Sequence, residues 1–233
     1  MDSQFPKSQV DRLGQRLKGG DITENDIRIL DEYRRSFGPA YELIVDSIRQ
    51  TLGLTLTGRP AKSTSSIIEK LHRETIRLSQ IQDIAGCRII TSDINIQNKV
   101  ITDLVGLFPE VRVIDRRNIP SHGYRAVHVV PIINGRPIEI QVRTFLQHKW
   151  AELSEKLADI IDPAIKYGVG PEIPITLLDN MTNLFSKMEK LELVFESKDI
   201  NDPKLSAVNP ELTSIKADLI KLVDEFITKT REK

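Results

Sequence analysis

The stretch HGYRAVHVVPIINGRPIEIQVRT, residues 122–144, decides the fold. It reads as two strands, HGYRAVHVVPII and RPIEIQVRT, joined through Asn134-Gly135. That dipeptide is a strong hairpin signal, because both central positions of a tight primed turn need positive φ. In the second strand, alternation puts Ile138, Ile140 and Val142 on one face and Glu139, Gln141 and Arg143 on the other. In the first strand, Tyr124, Ala126 and His128 share a face. A tyrosine, a histidine, a carboxylate, an amide and a guanidinium are then expected on one sheet face. A hairpin with one ordinary solvated face is the plain alternative.

Reading outward, DIAGCRIIT (83–91) is a buried-strand run and VRVIDRR (111–117) a short strand. INIQNKVITDLVGLF (94–108) is an amphipathic helix between them. LTLTGRPAKS (54–63) is a strand end running into a loop, and SSIIEKLHRETIRL (65–78) a helix with Ile67, Ile68 and Leu71 inward. Upstream, apolar residues at helical spacing from Ile27 to Leu52 predict two helices, or one broken at Pro39. Downstream, LQHKWAELSEKLADII (146–161) is helical, IKYGVGPEIP is a turn-rich break, and residues 174–196 and 210–231 read as two amphipathic helices separated by DINDPKLSAVNP. The order predicts an α/β domain with a mixed, mostly antiparallel five-stranded sheet flanked by helices. The expected organisation is a flexible N-terminal arm over 1–20, a central domain over 21–170 and a C-terminal helical extension over 171–233.

The 233 residues carry 33 basic and 33 acidic side chains. With no net charge, an anion site must come from local clustering rather than a global field. At 39% hydrophobic and 28% charged, the composition excludes a mainly disordered chain. The one cysteine, Cys87, has no internal partner and sits in an apolar run, which fits a buried thiol in a reducing compartment. No apolar run is long enough for a membrane span, and MDSQFPKSQVDR has no apolar leader segment. A cytoplasmic protein is expected.

Three features point to chemistry. Lys62, Ser66 and Lys70 are spaced by four and Arg73 follows by three, so on a helix they share one face, with Arg59 just upstream. Near a helix N-terminus such a stripe suits a polyphosphate, although most charge stripes are simply solvated. Asp83 stands at the mouth of its strand and, with Glu139, offers two carboxylates for Mg²⁺, which takes few protein oxygens plus substrate phosphates. A turn residue is the plain reading of Asp83. Arg88 lies five residues along. A carboxylate pair with a row of cations is the equipment of phosphoryl or nucleotidyl transfer. No Walker A or protein-kinase signature is present, and the four histidines lack metal-ligand spacing.

KSTSSIIEKLHRE, QDIAGCRII, HGYRAVH and EIQVRT…W, in that order, resemble the synthetase domain of the RelA/SpoT family of nucleotide pyrophosphokinases. The resemblance covers roughly residues 40–165. It implies a nucleotidyltransferase fold related to polymerase β, and transfer of the β,γ-pyrophosphate of ATP to a ribose 3′-hydroxyl with release of AMP. It implies that Arg59, Lys62, Ser66, Lys70 and Arg73 contact the ATP phosphates. Asp83 and Glu139 would bind Mg²⁺, and Glu139 would assist deprotonation of the acceptor hydroxyl. Tyr124 would stack on the acceptor base, with Arg88, His128, Gln141, Arg143 and His148 on the acceptor side or bracing the carboxylates. The length is similar to that of the small alarmone synthetases.

The chain departs from the family pattern at Arg59-Pro60-Ala61-Lys62, where the usual spacing is Arg-x-Lys, and at His148 and Ser154-Glu155, near the acceptor. WAELSEKLADIIDPAIKYG looks more like the toxin-like branch, some members of which make adenine alarmones or pyrophosphorylate the 3′ end of tRNA. Arg112, Arg116, Arg117 and Arg136 would then form the RNA patch. GDP or GTP is the expected acceptor. An inactive nucleotide-binding module is the reading from another class, against which the retention of both Asp83 and Glu139 argues. After Pro174 a stripe of Leu177, Leu178, Met181, Leu184, Phe185, Met188, Leu191 and Phe195 is expected to pack on the domain or to serve self-association or a neutralising partner.

Overall fold

A computed structural model describes residues 5–20, 22–197 and 203–229. Eight helices and five strands are assigned among them: α1 (Lys7–Gly19), α2 (Glu24–Arg35), α3 (Gly38–Ser47), β1 (Thr57–Arg59), α4 (Thr64–Arg73), β2 (Ala85–Thr91), α5 (Ile94–Leu107), β3 (Val111–Asp115), β4 (Val127–Ile133), β5 (Arg136–Thr144), α6 (Phe145–Ile160), α7 (Glu172–Ser197) and α8 (Pro203–Lys229). The strands are ordered β1-β2-β5-β4-β3. β1 and β2 are antiparallel. The β4–β5 hairpin turns at Asn134 (φ 51°) and Gly135 (φ 72°), the positive-φ pair expected there. Ile132 N donates to Glu110 O at 3.0 Å and Arg116 N to Ala126 O at 2.9 Å, so β3 runs antiparallel to β4. Gly86 lies against Glu139, and Thr91 Oγ1 donates to Arg143 O at 3.3 Å. Partner numbers rise together there, so β2 and β5 are parallel and the sheet is mixed.

The chain forms two compact units. The first comprises residues 1–89, 103–113 and 129–141; the second comprises 90–102, 114–128 and 142–233.

In the first unit, the N-terminal segment expected as a loose arm is instead a helix over Lys7–Gly19. Val10, Leu13 and Leu17 recur at helical spacing and are buried, Leu17 completely. Lys18 Nζ donates to the carbonyls of Glu74 and Ile76 at 3.1 and 2.9 Å, tying α1 to the segment after α4. Thr23 caps α2 in a reciprocal capping box with Asp26. The expected break near Pro39 is real: α3 begins at Gly38, with Pro39 in the first turn, where its missing N–H costs nothing. The helix expected over 65–78 stops at Arg73, because Glu74 turns to extended backbone. β2 buries Ala85, Cys87, Ile89 and Thr91 and leaves Gly86, Arg88 and Ile90 on the other face, so it is buried on one side rather than both. Arg136 packs its guanidinium over the rings of Phe5, Tyr33 and Phe37 at 5.1 to 5.6 Å.

In the second unit, Trp150, Leu153 and Leu157 of α6 are buried with Leu178, Met181, Phe185 and Met188 of α7 and with Val223 and Ile227 of α8. The C-terminal stripe therefore packs along one edge, whereas Leu177, Leu184 and Leu191 stay exposed. The side chain of Phe195 lies outside the described residues. α8 starts at Pro203 and runs through Pro210, so the separator expected over 199–210 shrinks to residues outside those described. Proline at a first helical position is pre-set in φ. No helix among the described residues is long and apolar enough to cross a membrane.

Candidate functional site

Within the first unit, strand pairing sets out one sheet face. Arg59 pairs with Gly86 and Thr57 with Arg88 across β1–β2. Gly86 in turn neighbours Glu139: a Cβ added there would lie 3.5 Å from Glu139 Cβ. Paired residues share a face, so Arg59 and Glu139 flank a position with no side chain, and Arg88 and Gln141 follow two residues along. The opposite face is apolar, with Cys87, Ile138 and Ile140 buried. Gln141 Nε2 donates to Glu139 Oε1 at 2.6 Å, which fixes the carboxylate.

The basic stripe departs from its expected helical geometry. Ser63 caps α4, its Oγ accepting from Ser66 N at 3.2 Å, so Lys62 precedes the helix instead of lying on it. Lys62 and Lys70 nevertheless converge. Lys62 Nζ meets Asp83 Oδ2 at 2.8 Å and Lys70 Nζ meets Asp83 Oδ1 at 2.9 Å. Burial works to raise the Asp83 pKa, but the charges and hydrogen bonds of Lys70 and Lys62 outweigh it and bring the pKa down to about 2. Asp83 is therefore held ionised between two ammonium groups. Ser66 Oγ accepts from Ser63 Oγ at 2.7 Å, and Arg73 pairs with Glu74 at 3.1 Å. Cys87, beneath this face, has its thiol pushed up to about 12 by burial, with Arg49 countering and Glu139 adding to the rise.

Within the second unit, Tyr124 is not on a strand. His122 (φ 52°) and Gly123 (φ 84°) make a tight turn bridged by paired backbone bonds between Ser121 and Tyr124. A Cβ on Gly123 would strike Trp150 and Thr182 at 2.7 Å, so glycine is needed for space as well as for φ. The turn still brings Tyr124 to His128 and Arg143. Arg143 Nη2 donates to Tyr124 Oη at 3.0 Å, and Oη lies 2.9 Å from His128 Nε2. The Arg143 guanidinium sits 5.0 Å over one face of the Tyr124 ring, and Trp150 lies at 6.4 Å. His128 and Arg143 are buried. His148, in the first turn of α6, instead pairs down its helix with Glu152 at 3.6 Å.

Residues 58–158 match the family model described as "Region found in RelA / SpoT proteins". Every expected site residue, from Arg59 to His148, lies inside that span. The matched segment is similar to that region and covers less than half of the chain. Uncharacterized proteins of Mycobacterium tuberculosis and Mycobacterium bovis are 39% identical over 124 residues, 51% of this chain and 45% of theirs. The chain thus spans about half the length of the curated relatives it matches. Among solved structures, small alarmone synthetase 1 from Bacillus subtilis aligns with TM-score 0.55 at 23% identity over 73% of this chain and 95% of that one. A GTP pyrophosphokinase family protein from Streptococcus pneumoniae aligns with TM-score 0.52 at 20% identity over 87% and 98%. These likenesses show the fold, a mixed five-stranded sheet flanked by helices.

Three things escaped the sequence reading. The lysine clamp on Asp83 is one. The second is the engagement of two of the four patch arginines: Arg136 lies over aromatic rings, and Arg117 meets Asp115 and Asn98, at 2.6 Å each. The third is a buried polar network around Glu189, with Gln97, Thr144 and Gln147. Only the Thr144-x-x-Gln147 capping box had a visible signature.

Proposed function

We propose that this chain is an ATP-dependent nucleotide pyrophosphokinase that transfers the β,γ-pyrophosphate of ATP to the ribose 3′-hydroxyl of GDP or GTP. The observation that carries this reading is the match to the RelA/SpoT family model over residues 58–158, a span that contains every residue expected to bind donor, acceptor or metal. The Bacillus subtilis synthetase is bound to its product pppGpp, which supports a guanine acceptor. In this reading the ATP phosphates draw Lys62 and Lys70 off Asp83 and gain Arg59, Ser66 and Arg73. The acceptor base stacks on the Tyr124 ring, with His128, Arg143 and His148 in the same unit. Glu139, held by Gln141, takes the proton of the 3′-hydroxyl. The 3′-oxygen forms a bond to the β-phosphorus, the bond from that phosphorus to the bridging oxygen breaks, and AMP leaves with that oxygen.

The carboxylates fit Mg²⁺. Asp83 is ionised and Glu139 shares its unit. When bound, the ion neutralises charge on the transferring phosphates. Because Lys62 and Lys70 occupy both Asp83 oxygens, the site is completed only with nucleotide present.

Transfer to the 3′ end of tRNA or to an adenine nucleotide is the alternative reading; of its expected arginine patch, Arg136 and Arg117 have contacts within the chain. The division into a catalytic region with helical additions at both ends belongs to the same proposal. So does self-association, or a protein partner, through the C-terminal helices. The test is γ-labelled ATP offered with GDP, GTP, ADP, ATP and deacylated tRNA in parallel. Label on a guanine nucleotide with matching AMP is the expected result. Label on tRNA or adenine nucleotides alone would replace the acceptor, and absence of both product and AMP would overturn the reading.

A further inference from the structure

We propose that Glu189, on α7 and outside the RelA/SpoT region, is a positioning residue that holds the Tyr124 turn and Arg143 in register for the acceptor. Glu189 is 1% exposed, which no carboxylate reaches without partners. Its Oε1 accepts from Thr144 Oγ1 at 2.6 Å and from Gln147 Nε2 at 2.9 Å. Its Oε2 is ion-paired with Arg125 Nη1 at 2.5 Å. Each partner is next to, or locked onto, the cluster it would set. Thr144 follows Arg143 in β5 and caps α6. Arg125 follows Tyr124, and its Nε donates to Arg117 O at 3.0 Å, pinning the segment after β3. Gln147 also accepts from Gln97, whose amide reaches Val142 O at 2.9 Å.

The same helix grips the turn one step earlier. Thr182 Oγ1 donates to Gly123 O at 3.1 Å, and Trp150 Nε1 donates to Leu178 O at 2.9 Å. α7 thus meets both ends of the His122–Arg125 segment and the last residue of β5. A hydrophobic stripe alone would have secured the helix. Burying a charge there is costly unless it is paired, and the partners recruited are the neighbours of Tyr124 and Arg143.

This inference rests on the proposed function for what is positioned, but not for the positioning. Glu189→Gln keeps an acceptor for Thr144 and removes the charge facing Arg125. Val223→Ala, on the α8 side of the same core, is the control for loosened helix packing. Hydrogen exchange of residues 121–128 is measured in both at matched global stability. Kinetics with GDP and ATP follow. Faster exchange of 121–128 in Glu189→Gln only, with acceptor KM raised about tenfold and ATP KM unchanged, is expected from losing one charge-assisted contact. Equal exchange in the two variants overturns the positioning role whether or not the protein turns over. Altered exchange with unchanged acceptor KM in an active enzyme overturns its link to the acceptor. Faster exchange in a wild-type background that makes no product would sink the proposed function and leave the positioning role standing.

Discussion

Gly86→Ala adds one methyl group in the middle of the donor face, and the structure sets its cost. The new Cβ would lie 2.5 Å from the backbone oxygen of Glu139 and 3.4 Å from its carbonyl carbon. Ordinary contact begins near 3.4 Å, so β2 and β5 must part locally by about 0.9 Å, the difference between 3.4 and 2.5. The obstacle is backbone in a hydrogen-bonded ladder, so no rotamer change relieves it. Overpacking of this kind costs about 1–3 kcal/mol. It also moves Glu139, and a displacement of about 1 Å at a reacting group lowers turnover on the order of a hundredfold. Gly106→Ala is the matched control: Gly106 is in α5, and an added Cβ meets nothing within 4 Å. Alanine there gains helix propensity, up to about 1 kcal/mol. Urea unfolding of the two variants and the wild type reads the stability difference, and ATP turnover reads the displacement. Gly86→Ala with wild-type stability would refute the close strand approach on which the site geometry depends.

Asp83 gives a pH prediction: its folded pKa of about 2 lies below the ordinary value of 3.8. Its stabilisation, on the order of 2 kcal/mol, is complete above about pH 4 and lost as pH falls toward 2, and Asp83→Asn should flatten that part of an acid-unfolding profile. Cys87, pushed up to about 12, should resist a thiol reagent at pH 8, since only about one molecule in ten thousand carries thiolate, and should react fully in denaturant. Arg136→Ala should lower stability by about 1–2 kcal/mol in thermal unfolding without altering RNA binding, because its guanidinium is spent on Phe5, Tyr33 and Phe37; loss of RNA binding would restore the patch.

Much of the sheet was legible because its signals are local and steric. Asn134-Gly135 admits almost no conformation but a primed turn, and the alternation of β5 allows one burial pattern. The bounds that moved were decided by caps and by tertiary packing. Ser63 took the capping position and left Lys62 off α4. Val10, Leu13 and Leu17 carried a helical period too sparse to outweigh their polar neighbours until burial supplied the gain. Of the expected site residues, the shared face of Glu139 and Gln141 was readable, and the partners were not. Asp83 meets Lys62 and Lys70 only because a loop and a helix converge on it. Glu189 lies between Met188 and Lys190 with nothing in its surroundings to mark it as buried.

The most direct test of the central claim compares wild type with Glu139→Gln in Mg²⁺, γ-labelled ATP and GDP, measuring labelled product and nucleotide binding side by side. The account predicts label on the guanine nucleotide with wild type, and product lowered by at least about a hundredfold in the variant with binding retained. Equal product from the two proteins would contradict it.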